Sequence, residues 1–416
     1  MRTANEPAEA LIVPPDRSEA GRARLVVIIG ALSAFGPLSI DMYLPALPAL
    51  PHEFGGNASQ AQLTLTACLL GLAVGQVIAG PLSDRLGRRR PLLAGVLLYA
   101  LASLLCAAAP TLPVLIACRL LQGLAGAAGV VIARAVVRDL FSGAEVARFF
   151  ALTMLVNGLA PILAPIIGAQ MLTFTSWRGV FVLLALSGVG LLALAAWGLR
   201  ESLPAEQRRT GGIADTLSTF RALLTNRVFV GYALASGLAF AAMFTYISGS
   251  PFVLQSIYGV SPQLFSFIFG TNALGIVAAS QVSGRLAGRV GPRRLLAIGL
   301  GYAALGGLLL LAIVLLGGGL AGILFGLFLV VSSIGLISPN ATALAMAEQR
   351  RTAGSASALL GVLQFIAGAA IAPLAGIGGA ATALPMALIM ACLPLAALAA
   401  FLLLARPQAE AGAAAA

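Results

Sequence analysis

GPLSDRLGRRRPLLAG, residues 80–95, returns later in the chain as GRLAGRVGPRRLLAIG, residues 284–299. Gly80 and Gly87 fall on Gly284 and Gly291, and Arg85, Arg89 and Arg90 fall on Arg289, Arg293 and Arg294. Each copy is an arginine-rich loop between long apolar runs, so the chain reads as two related halves. Runs of about 20 residues, each long enough to cross ~30 Å of hydrocarbon as a helix, lie near 25–47, 61–82, 91–109, 112–133, 149–172 and 178–199. Six more lie near 228–250, 262–284, 295–316, 319–345, 354–376 and 382–405. The longest polar stretch, Glu201 to Arg221, follows the sixth run. The expected organisation is a cytoplasmic tail at 1–24, a six-helix half at 25–200, a cytoplasmic linker at 201–227, a second half at 228–405 and a tail at 406–416. This is an all-α polytopic membrane protein with twelve transmembrane helices in two pseudo-symmetric halves, whose substrate site is expected between them near the midplane.

Composition agrees. Of 416 residues 60% are hydrophobic and 9% charged, too few polar groups to cover a soluble globule. A formal net charge of +11 would suit a nucleic-acid binder, but the chain has no lysine and its arginines lie in loops. With the N-terminus inside, the inner segments hold every arginine except Arg119 and Arg178, and the positive-inside rule places both termini in the cytoplasm. Residues 1–24 mix acids with arginines and lack an apolar core, so the first span is expected to be retained. The four cysteines sit within apolar runs without C-x-x-C spacing, which suits core residues and implies neither metal nor cofactor.

Two charges stand out in this background. Asp41, in GPLSIDMYLPALPAL (36–50), lies about 16 residues, or roughly 24 Å, into the first run. A carboxylate there costs on the order of 2.5–3.5 kcal/mol on insertion scales and faces the bundle interior, a partner or water, unless the helix ends near Ile40 and Asp41 caps it at the outer interface. Arg119, in ACRLLQGLAGAAG (117–129), lies at a similar depth in the fourth run, so the two could meet. A facing arginine favours the charged carboxylate and loss of water favours the neutral acid, so making and breaking such a pair would couple protonation to conformation. A static pair or a clamp on backbone carbonyls is the structural alternative. Gln122, Gly123 and Gly126 share Arg119's helix face, Gln122 as a cavity hydrogen-bonder and the glycines as a close-contact surface. In the second half Phe244, Tyr246 and Asn340 are candidates for aromatic and amide contacts to a substrate.

The repeated loop is a different device. Asp84 ends the second run, Gly80 and Gly87 permit tight packing and turning, and Arg85 and Arg88 to Arg90 hold the segment at the inner surface. Asp84 beside helix N-termini could latch one conformation, one-sidedly, because Gly288 replaces it in the second copy. In NGLAPILAPIIGAQ (157–170), Pro161 and Pro165 bend the fifth helix while Gly158 and Gly168 smooth its surface, as a seal between halves requires.

Taken together these stretches resemble a major facilitator superfamily transporter of the Bcr/CflA drug-resistance type, a family of drug:proton antiporters. GPLSDRLGRRR (80–90) resembles the superfamily's loop motif, RLLQG (119–123) the span-four motif whose arginine is implicated in proton coupling, and LAPILAPIIG (159–168) the antiporter motif, with Ala160 before Pro161. SIDMYLPALP (39–48), YISGSPFVLQ (246–255), SPNATALA (338–345) and GSASALLG (354–361) are similar to this subfamily. The resemblance implies that Asp41 binds proton or substrate, that Arg119 tunes its affinity, and that a monomer in the bacterial inner membrane expels a small amphipathic drug in exchange for protons. Ser33 stands where some relatives carry a second acid. A nutrient or metabolite carrier on the same fold is the alternative. An intramembrane enzyme is not expected, since the single histidine, His52, lies in a loop and no second deep carboxylate accompanies Asp41.

Overall fold

The apolar runs fold as long helices in the computed structural model, which describes residues 19–141, 144–208, 213–347, 349, 353–379 and 381–405. The first half contains α1 (Glu19–Asp41), α2 (Ala58–Leu86), α3 (Arg89–Ala107), α4 (Leu112–Leu140), α5 (Ala144–Met171) and α6 (Trp177–Gly198). The second contains α7 (Arg227–Pro251), α8 (Pro262–Val290), α9 (Pro292–Leu315), α10 (Gly319–Ala347), α11 (Ala353–Ile371) and α12 (Leu384–Leu404). Eleven of these are long and apolar enough to cross a membrane, and the described apolar stretch of α5 is Gly158–Met171. Of the expected tails, residues 1–18 of 1–24 and all of 406–416, with Arg2, Arg17 and Arg406, lie outside the described residues.

Local chemistry sets the helix starts. Asn57 accepts the Gln60 N–H at 2.9 Å while Gln60 Oε1 accepts the Asn57 N–H at 3.0 Å, a reciprocal cap that opens α2. At the matching place in the second half Ser261 accepts from Leu264 N–H at 3.2 Å, with Pro262 as the first helical residue of α8. Gly87 and Gly291 turn the two repeated loops with φ of 89° and 85°, a conformation that costs a side-chain-bearing residue dearly. The polar segment expected as a linker contains a helix of its own, Ile213–Thr225, which buries Phe220 and Leu223 against the second half and leaves Asp215 and Arg221 exposed.

Within each half, glycines let helices meet backbone to backbone. A β-carbon on Gly123 of α4 would collide with the Cys68 carbonyl of α2, and one on Gly71 with the Leu120 carbonyl. Gly335 of α10 stands in the same relation to the Ile276 carbonyl of α8. Hydrocarbon solvates leucine as well as a protein interior does, so this close approach, rather than apolar burial, joins the helices.

Among the described residues, five hydrogen bonds join the halves at the end where α2 and α8 begin. From α2, Ser59 Oγ donates to Pro373 O (2.9 Å), Gln62 Nε2 to Ser248 O (3.0 Å) and Thr66 Oγ1 to Ala369 O (3.1 Å). From α8, Gln263 Nε2 donates to Ala169 O (3.2 Å) and Ser266 Oγ to Pro165 O (2.9 Å). Ser59 and Gln263 are each the second residue of their helix, Ala169 lies in the last turn of α5 and Pro373 in the 3-10 turn that follows α11, so these two bonds are pseudo-symmetry mates. This is the end opposite the arginine-rich repeated loops.

Candidate functional site

A cavity of about 220 Å³ lies between the halves, lined from α1 by Gly36, Pro37, Ile40 and Asp41 and from α7 by Phe240, Met243, Phe244, Tyr246 and Ile247. Leu69, Leu72 and Pro161 complete the first half's wall, and Phe269, Ala273, Ile276, Val331 and Phe365 the second's. Asp41 is the one charged residue of the lining, 5% exposed, and no described residue gives its carboxylate a hydrogen bond or an ion pair.

Sequence reading carried the first helix to residue 47, whereas α1 stops at Asp41 and gives way to a 3-10 turn at Leu44–Ala46. The prolines at 45 and 48 supply no N–H to continue the helix. Residues 40–47 are nevertheless buried, so the carboxylate sits at a helix end inside the protein, facing the second half, rather than at the membrane surface.

Arg119 does not pair with Asp41. It is 0% exposed, with its guanidinium over the rings of Tyr43 and Phe181 at 5.4 and 5.5 Å and one nitrogen bonded to Gln122 Oε1. Its Nε and other terminal nitrogen have no acceptor among the described residues. Gln122 in turn donates to Ser103 Oγ at 2.7 Å, so Arg119 and Gln122 belong to a polar chain inside the first half. Gln122 is therefore not a cavity residue. Neither is Asn340, whose amide donates to Ser283 Oγ and Leu336 O at 2.7 Å each and ties α10 to α8.

Phe244 and Tyr246 do line the cavity. Tyr246 stacks on Phe269 with ring centroids 5.3 Å apart, and its hydroxyl accepts from Asn272 Nδ2 at 2.9 Å. Phe240 lies between Phe244 and Phe365, with centroids at 6.0 and 5.8 Å. Phe240, Met243, Phe269, Phe365 and Asn272 were not singled out by sequence reading. Asn272, a lone amide within the apolar run LFSFIFGTNALG (264–275), was the detectable signal among them.

At the opposite end of the half, the repeated loop builds a compact ionic corner. Arg88 bonds Asp84 one turn earlier, Asp139 of α4 at 2.8 Å and Ser83 Oγ at 2.8 Å. Burial weighs against its charge, but Asp139 and Asp84 more than offset this and hold the Arg88 guanidinium above its ordinary range. Asp84 thus pairs within its own half. Arg85 is exposed, and Gly80 is roomy, since a β-carbon there would meet only Val131 at 3.9 Å, so close packing is not what this glycine provides. Glu201, also unremarked in the sequence, accepts the Arg88 and Arg89 N–H groups at 2.7 and 3.2 Å and so caps α3. In α5, Pro161 faces the cavity, Gly158 lies against Val277 of the second half, and Gly168 lies against the Met42 carbonyl.

Two six-helix halves closing on a central, largely apolar cavity with one acid define a solute carrier rather than an enzyme. The chain belongs to the Major Facilitator Superfamily, whose model matches residues 28–373. It is 43% identical over 371 residues to the uncharacterized MFS-type transporter YdgK of Bacillus subtilis (strain 168), covering 89% of this chain and 92% of that protein. It is 32% identical over 382 residues to the bicyclomycin resistance protein homolog of Haemophilus influenzae, covering 92% and 96%. The crystal structure of a D-xylose-proton symporter superposes with a TM-score of 0.75 at 14% identity, over 92% of this chain and 98% of that one, a likeness of fold alone. The protein is a multi-pass carrier of a bacterial inner membrane with drug-resistance relatives.

Proposed function

We propose that the protein is a proton-coupled antiporter that exports small amphipathic, drug-like compounds, with Asp41 binding proton and cargo in turn. The observation that carries this reading is the solitary Asp41 carboxylate, buried at the end of α1 and facing an apolar cavity between the halves. A charged carboxylate in such surroundings needs a counter-charge or a proton. A cargo cation or donor and a proton therefore compete for it, and if the two conformations differ in affinity for each, one ionisable group is enough to couple the fluxes. The drug-resistance relative supports outward drug transport; the symporter's likeness does not favour import, because a fold hosts many substrates.

The test is drug susceptibility and proton flux together. An efflux-deficient bacterium expressing the wild type should resist chloramphenicol or bicyclomycin, and everted vesicles should lose part of an imposed pH gradient when the drug is added. Asp41→Asn should reach the membrane in equal amount and lose both effects. Full resistance with drug-driven proton flux in Asp41→Asn would remove Asp41 from the mechanism. Accumulation of a nutrient instead of resistance would support the metabolite-carrier reading.

A further inference from the structure

The cavity has a second polar pole. Tyr246 lies in its lining from α7, held flat by the Phe269 ring and approached at its hydroxyl oxygen by the Asn272 amide. A phenol has one proton to give, and its oxygen accepts. Asn272 Nδ2 already fills an acceptor position, so the hydroxyl proton is left to donate away from Asn272. No described residue receives it. Asp41 is not within hydrogen-bond reach of it, so the two poles remain separate, one on each half.

We propose that Tyr246, oriented by Asn272, is a specificity-determining hydrogen-bond donor to the cargo. The preferred cargo then has an apolar or aromatic body, a donor or cationic group for Asp41 and a carbonyl, amide or hydroxyl oxygen for Tyr246. Phe240, Phe244 and Phe365 clasp the body, and Met243, with three freely turning bonds, lets the wall fit different shapes. Because an unfilled buried donor is penalised, Tyr246 discriminates against cargo that lacks an acceptor. Asn272 is a positioning residue that touches Tyr246 and not the cavity.

This inference rests on the export reading above, and the experiment separates the two. Equilibrium binding to purified protein in lipid nanodiscs is measured for chloramphenicol, which carries hydroxyl and amide oxygens, and for tetraphenylphosphonium, a cation with no acceptor. Tyr246→Phe should weaken chloramphenicol binding by about fivefold, the worth of one neutral hydrogen bond, and leave or strengthen the phosphonium. Asn272→Asp should weaken chloramphenicol similarly, because its carboxylate takes the phenol proton for itself. A purely structural role for Tyr246 would weaken both probes together and lower thermal stability, and that outcome, or no change for either probe, overturns the proposal. If Asn272→Asp does not fold, Tyr246→Phe alone decides between these results. A wild type that binds neither probe would remove the export reading and this proposal with it.

Discussion

The bonds that join the halves predict how easily they part. Ser59→Ala with Gln263→Leu removes the pseudo-symmetric pair to Pro373 O and Ala169 O, and neither side chain lines the cavity. A neutral hydrogen bond contributes about 1 kcal/mol net. When the halves separate at this end the freed groups meet water in wild type and variant alike, so the loss falls on the closed state. Removing both bonds then costs closure about 2 kcal/mol, which at 1.4 kcal/mol per decade raises the open-to-closed ratio roughly 30-fold. An open state populated at about 1% would rise to roughly a quarter of the molecules. Spin labels at His52, in the short helix Ala49–Phe54, and at Leu316, in a turn, both exposed and on opposite halves at this end, report the two populations by pulsed electron resonance. Each single substitution should give about a fivefold shift. Thr173→Ala, which removes a bond to Gln170 O within one half, should give none. An unchanged distance distribution in the double variant, or an equal change with Thr173→Ala, would refute the idea that these bonds set the closing equilibrium.

Three further outcomes are expected. Gly123→Val should lower the thermal midpoint in detergent markedly, since its side chain meets the Cys68 carbonyl and overpacking costs typically about 1–3 kcal/mol; a midpoint equal to wild type would show that α2 and α4 are less constrained than their contact implies. Glu201→Ala should cost about 1 kcal/mol by uncapping α3, read as a lower midpoint, and Glu201→Gln should recover part of it through its remaining carbonyl acceptor. Arg119→Met should leave the midpoint unchanged or raise it, because an incompletely paired buried charge is often stabilised by apolar replacement, while drug resistance falls; a large loss of stability would instead make Arg119 a structural post.

The one-dimensional features of this protein were legible in its sequence because they depend on what each segment meets along its own length. Apolar runs of membrane-spanning length, the repeat of 80–95 at 284–299, the arginine-rich loops and a solitary acid deep in the first run all follow from the cost of placing polar groups in hydrocarbon. The glycines of RLLQGLAG were likewise readable as a contact face, since a helix has a fixed period. What the sequence left open was rotation and partnership. Asp41 and Arg119 have similar depths, yet Asp41 looks across to the second half and Arg119 turns into its own. Gln122 and Asn340 look like cavity groups in one dimension, but each spends its amide on a neighbour in the same half. The matched gate bonds use Ser59 in one half and Gln263 in the other, positions that the shift of the repeat superposes but whose unlike side chains do not announce a shared role. Depth is set by the solvent and can be read residue by residue; the direction a helix faces is set by packing against helices distant in the chain, and only the assembled structure contains that information.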